Sequence, residues 1–172
     1  MSVSRTLSLL LSLSAAAVPA FAQSAPEPDA VQPAAPAAWS PATGDAWLDT
    51  WLTDTNTYAG RYRGAFVDEL VRYQSAPRAF VIELLEAGAR PADVYLACAV
   101  GRALGRTCRE IVAQWRLDPA GGWGDVLARL DAAPGSAPFV QVRRGLVSSF
   151  DRWARPIRLD APLRRAFPDR ED

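Results

Sequence analysis

The side chains able to do chemistry in this chain are few, and the missing types narrow the choice first. The 172-residue sequence has 19 arginines, no lysine and no histidine, and 19 acidic residues bring the formal charge to zero. Without histidine there is no imidazole base for a hydrolase triad and no His-ligated zinc or iron; without lysine there is no Schiff base and no P-loop lysine. Nothing in the sequence points to a metal or a cofactor. Chemistry that needs only two carboxylates survives the exclusion, as in glycoside hydrolysis. Glu83 and Glu86 lie three apart on a predicted helix, and Asp118 and Asp125 flank a glycine-rich turn. Such pairs are also common on solvated helix faces, and no neighbouring pattern would perturb them, so these acids are expected to serve the surface.

Cys98 and Cys108 are the remaining reactive groups. Their spacing is not the Cys-x-x-Cys arrangement that lowers a thiol pKa, so redox catalysis is not expected. They are either a disulfide or two small buried apolar residues, and the compartment decides between these. The N-terminus speaks to that point. Arg5 precedes an apolar run from Leu7 to Val18, followed by Pro19, Ala20, Phe21 and Ala22. This order of charge, apolar run and small residues is that of a secretory signal peptide over residues 1–22, with cleavage before Gln23. The run is too short for the ~20 residues of a spanning helix, so no transmembrane anchor is expected after cleavage. No cysteine follows the cleavage site, so lipidation is not expected either. A periplasmic or secreted destination follows, and in that oxidising setting the disulfide is favoured, with a stabilisation of about 2.5 to 3 kcal/mol in the chain-entropy model. Geometry adds a condition: the two predicted helices must cross steeply to bring the Cα atoms within reach.

Arginine and tryptophan are the candidate binding residues. Acids without arginine occupy the stretch from Gln23 to Tyr58 (Glu27, Asp29, Asp45, Asp49, Asp54), whereas arginines crowd the stretch from Phe139 to Arg170. Arg143, Arg144, Arg152, Arg155 and Arg158, with Arg164 and Arg165 beyond them, are candidates to contact an anionic partner, because the planar guanidinium binds carboxylate or phosphate with two hydrogen bonds. The alternative is that they solvate the last helix and pair with Asp151, Asp160 and Asp169. Trp123 lies in a Gly-Trp-Gly turn and either plugs a gap between helices or walls a small cleft. Trp47 with Trp51, and Tyr58 with Tyr62, share helix faces; core packing is the commoner use of such pairs.

These side chains must be positioned by helices. Residues 23–43 are dominated by alanine and proline and read as a disordered spacer. From residue 44 the punctuation is helical. Asp45 can cap a first helix carrying Trp47, Leu48, Trp51 and Leu52, and Tyr62, Phe66, Leu70 and Tyr73 stripe a second. Pro77 starts a third that Gly88 ends, and Pro91 opens a fourth that Gly105 stops. Thr107 and Glu110 form a capping box for a fifth. Trp123 to Leu130 make a short sixth, and Ser136 caps a seventh through Phe139, Val142, Leu146, Phe150 and Trp153. The expected fold is all-α: a multi-helix domain of six to seven short helices over 44–154, followed by a polar tail over 155–172.

Three runs, Pro91 to Ala97, Gly105 to Val112 and Gly122 to Leu130, resemble a group of uncharacterised exported bacterial proteins. In that group an Ala-Asp-Val-like helix start leads to a Gly-capped turn, a Glu-Ile/Val helix and a Gly-Trp-Gly turn. The likeness covers about a third of the chain, from Arg90 to Gly145, and departs at Asp131-Ala132-Ala133, where the group has a Gly-Val or Gly-Ile turn. It implies an exported helical protein and carries no activity with it.

Two functions from different classes are compatible with these residues. The first is a non-enzymatic interaction or structural module of the bacterial envelope, meeting an acidic protein or anionic lipid headgroups through the arginine-rich last helix. The second is a carboxylate-based hydrolase of envelope polysaccharide, with Glu83, Glu86 and Asp125 as candidate acids in one cleft. Helices five and six also have the outline of a helix-turn-helix, but an exported chain without basic excess is not expected to meet nucleic acid.

Overall fold

A helix that is apolar all round has to be buried, and the stretch Ala92 to Gly101 is apolar all round apart from Asp93. In the computed structural model, which describes residues 39–170, every residue of that stretch is buried. It forms most of α4 (Pro91–Leu104), the central helix. Around it pack α1 (Ala46–Arg61), α3 (Arg78–Glu86), α5 (Cys108–Leu117) and α7 (Ala137–Arg152), while α2 (Arg63–Tyr73) joins α1 to α3 and α6 (Gly122–Arg129) leans on α5. The described residues contain helices and no strand, so the all-α expectation holds. The described residues belong to one unit, 38–172, and the stretches expected to be signal peptide and most of the spacer lie outside them.

Local chemistry starts most of these helices where expected. Asp45 accepts from the Leu48 N–H, Thr107 and Glu110 form the capping box, and Ser136 accepts from the Phe139 N–H. The aromatic faces of α1 go inward: Trp51 meets Phe150 edge-on and Tyr58 stacks on Trp153 at 4.4 Å between ring centroids.

The turn from α4 to α5 depends on Gly101. A Cβ there would stand 3.0 Å from the Arg106 carbonyl oxygen and 3.1 Å from that of Thr107, so a side chain would push the returning chain away from α4 by a few tenths of an ångström, and glycine lets it lie close. Cys108, the first residue of α5, thereby comes onto Cys98, with Cα atoms 4.2 Å apart and the sulfurs at disulfide distance.

Both boundaries differ from the sequence expectation. Residues 41–43, read as spacer, pack onto the domain: Thr43 is fully buried and its hydroxyl donates to Asp49 at 2.6 Å. The stretch after Arg155, read as a polar tail, buries Ile157, Leu159 and Leu163 and forms an eighth helix, α8 (Ala161–Ala166), capped by Asp160. Ile157 and Leu159 are two apart in extended chain, so they carry no helical period, and the prolines around them read as breaks. The Trp47 indole N–H donates to the Arg158 carbonyl at 2.7 Å and ties this segment to α1.

Candidate functional site

Position 69 falls between Phe66 and Leu70 on the inward face of α2, which drives a carboxylate into the core. Glu69 is only 3 % exposed. Its charge is met by Arg152, whose Nε donates to Oε2 at 2.9 Å and whose Nη2 donates to Oε1. The Ser149 hydroxyl donates to Oε1 at 2.7 Å, and the Tyr95 hydroxyl lies 2.8 Å from the Ser149 oxygen. One proton assignment fits all of this: Tyr95 donates to Ser149, and Ser149 donates to Glu69. Burial, opposed by the bond to Ser149, pushes the Tyr95 hydroxyl well above its ordinary pKa, so it stays a donor. The Glu69 hydrogen bond likewise raises Arg152. Ser149 is fully buried and its oxygen already receives Tyr95 and, at 3.3 Å, Arg152. It is a link in a satisfied network rather than a nucleophile.

Arg152, the outer member of this network, lines a groove of about 240 Å³ between α4 and α7. Small residues open the groove: Ala99 and Ala103 on α4, and Gly145 on α7. Polar groups line it, chiefly Gln74, Gln141, Ser148 and Arg102. Arg102 has no carboxylate within 4 Å among the described residues.

The nominated arginines divide into two sets. Arg143 is buried, pairs with Asp45 and Asp160, and lies 4.8 Å over the Trp47 ring. Arg155 grips Asp54 with Nη2 at 2.7 and 2.8 Å, and Arg152 grips Glu69. These three are structural, a correction to their reading as partner contacts: they hold the acidic early helices against α7. Arg144 and Arg158 are exposed and have no carboxylate partner among the described residues. The candidate hydrolase acids do not converge. Glu83, Glu86 and Asp125 are all exposed, and none borders the clefts described here.

Trp123 is buried, at 1 % exposure, and stacks on Trp115 with centroids 6.0 Å apart. It is therefore a plug, as one reading of the turn expected, and it also borders a cleft of about 320 Å³ with Trp39, Arg90, Asp93 and Trp115. Its indole N–H donates to Asp93 Oδ1 at 2.8 Å. The glycines explain the turn. α6 has no side-chain cap; the Trp123 and Gly124 N–H groups donate instead to the carbonyls of Pro41 and Ala42, at 2.9 and 2.8 Å. Gly122 has φ of +71°, and a Cβ there would stand 2.8 Å from that of Ala42, so the strap of residues 40–42 can lie only on glycine. Asp93, 5 % exposed, was not singled out from sequence, where an acid two residues after Pro91 reads as an ordinary first-turn residue favoured by the helix dipole. Burial raises its pKa, against the Trp123 hydrogen bond and the Arg90 charge, which lower it.

No protein-family model, curated protein or solved structure matches this chain.

Proposed function

We propose that this chain is an exported, non-enzymatic interaction module of the bacterial envelope that takes a segment of an acidic protein along the groove between α4 and α7. The observation that carries this reading is Arg102, a cation without a carboxylate partner among the described residues, standing over the small residues of a concave, amide-lined groove. Arg152 is held rigid beside it by Glu69, and Arg144, next to the groove-lining Gly145 in sequence, is exposed and has no carboxylate partner among the described residues. A concave site with side-chain amides suits a carboxylate-bearing chain better than a flat lipid surface. Export rests on the signal-peptide pattern of residues 1–22 and gives the setting in which Cys98 and Cys108 would be bonded. Among the described residues no helix is long and apolar enough to cross a membrane. The hydrolase alternative has no observation in its favour, since its acids stand apart on exposed surface.

Binding to immobilised poly-glutamate tests the reading. The expected result is retention that weakens steeply as salt rises and falls at least tenfold in the double variant Arg102→Gln, Arg144→Gln. Retention indifferent to salt and to both substitutions would reject it, and retention by phosphatidylglycerol vesicles alone would move the partner from protein to lipid. Intact mass of the protein from envelope and medium tests the setting: a chain starting at Gln23, unalkylated until reduced, is expected.

A further inference from the structure

Asp93 holds one hydrogen bond from its own domain and has a second carboxylate oxygen to spare. One carboxylate oxygen receives the Trp123 indole N–H; the other has no hydrogen-bond donor among the described residues and is not sealed in the core, so it opens to the cleft that Asp93 lines. No arginine lies within 4 Å of it. Arg90, three residues earlier, turns its guanidinium over the Trp39 ring, 5.2 Å from the centroid, instead of onto the acid. The cleft beside Asp93 is walled by the indoles of Trp39, Trp115 and Trp123. A largely buried carboxylate whose nearest cation, Arg90, acts on it without touching it repels anions, and a neutral hydroxyl would fill its hydrogen bond without offsetting the rest of its charge. A cation does both, and indole faces add their own attraction for it.

We propose that this cleft binds a small organic cation, a primary ammonium group donating to the free oxygen of Asp93 while its carbon chain lies along Trp115 and Trp39. The site is separate from the α4–α7 groove and has the opposite charge preference. The strap of residues 40–42, pinned by its two bonds to α6, closes one side of the cleft. Arg90 is the resident competitor, a cation at the same cleft that the ligand must tolerate.

The test is titration of the ¹⁵N-labelled full chain with n-butylammonium chloride, following the Trp123 indole N–H resonance, with sodium chloride as the control for ionic strength. A saturable displacement of that resonance is expected. Affinity should fall at least tenfold in Asp93→Asn, which keeps an acceptor for Trp123, and rise several-fold in Arg90→Gln. No displacement, the same displacement with sodium chloride, or undiminished affinity in Asp93→Asn would overturn the proposal.

Discussion

Glu69 and Asp93 are the two carboxylates that this domain buries most deeply, and they are treated in opposite ways. Glu69 receives a two-point grip from Arg152 and a hydrogen bond from Ser149. Asp93 receives one indole N–H. The central helix serves both regions: Tyr95 reaches the Glu69 network, while Asp93, two residues away and so roughly on the opposite side of the helix, reaches Trp123. A buried acid with all its partners locks elements together, here α2, α4 and α7. One with a partner missing keeps a capacity to bind.

Removing a partner on each side should expose that difference. Arg152→Ala leaves Glu69 buried with Ser149 alone and should cost about 3 to 5 kcal/mol in urea unfolding. A loss below about 1 kcal/mol would mean that water reaches Glu69 freely and that the network is not what joins α2 to α7. Trp123→Phe takes from Asp93 the one side-chain donor it has among the described residues and leaves a small space, at an expected cost of about 2 to 3 kcal/mol by the same measurement. Asp93→Asn should have the smallest effect and the opposite sign. The raised pKa means that folding binds the Asp93 proton more tightly, so its contribution falls as pH rises from the ordinary carboxylate value through the raised one. The asparagine variant should lose that fall and be at least as stable as the parent at pH 7, measured as unfolding midpoints across pH 4 to 7. An equal loss in both variants at Asp93 and Trp123 would erase the contrast with Glu69.

The helices were readable because their signals are local. Asp45, Thr107 with Glu110, and Ser136 accept from N–H groups within a turn of themselves, and Pro91 fixes the backbone angle of its own first turn. The extra helix carries the same kind of local start, Asp160 before Pro162, but its six residues offer too short a period to read; what hid the segment's packing is that Ile157 and Leu159 bury themselves from extended chain. The candidate site was partly readable. Trp123 drew attention through its flanking glycines, and the arginines of α7 through their number. Asp93 did not, since its partner is 30 residues away and an acid near a helix start has an ordinary explanation.

By itself, then, the sequence determined the helical class, the places where six of the helices start, the chemistry that absent histidine and lysine forbid, and the expectation that Cys98 and Cys108 meet. Each of these depends on residue type or on spacing within a few turns. Tertiary structure alone decided which charges are spent. Arg143, Arg152 and Arg155 look like Arg144 and Arg158 in sequence, and only packing against Asp45, Glu69 and Asp54 tells them apart. Opposite charges find each other across folded distances of a few ångströms that correspond to separations of eighty to a hundred residues, and no local pattern records that pairing.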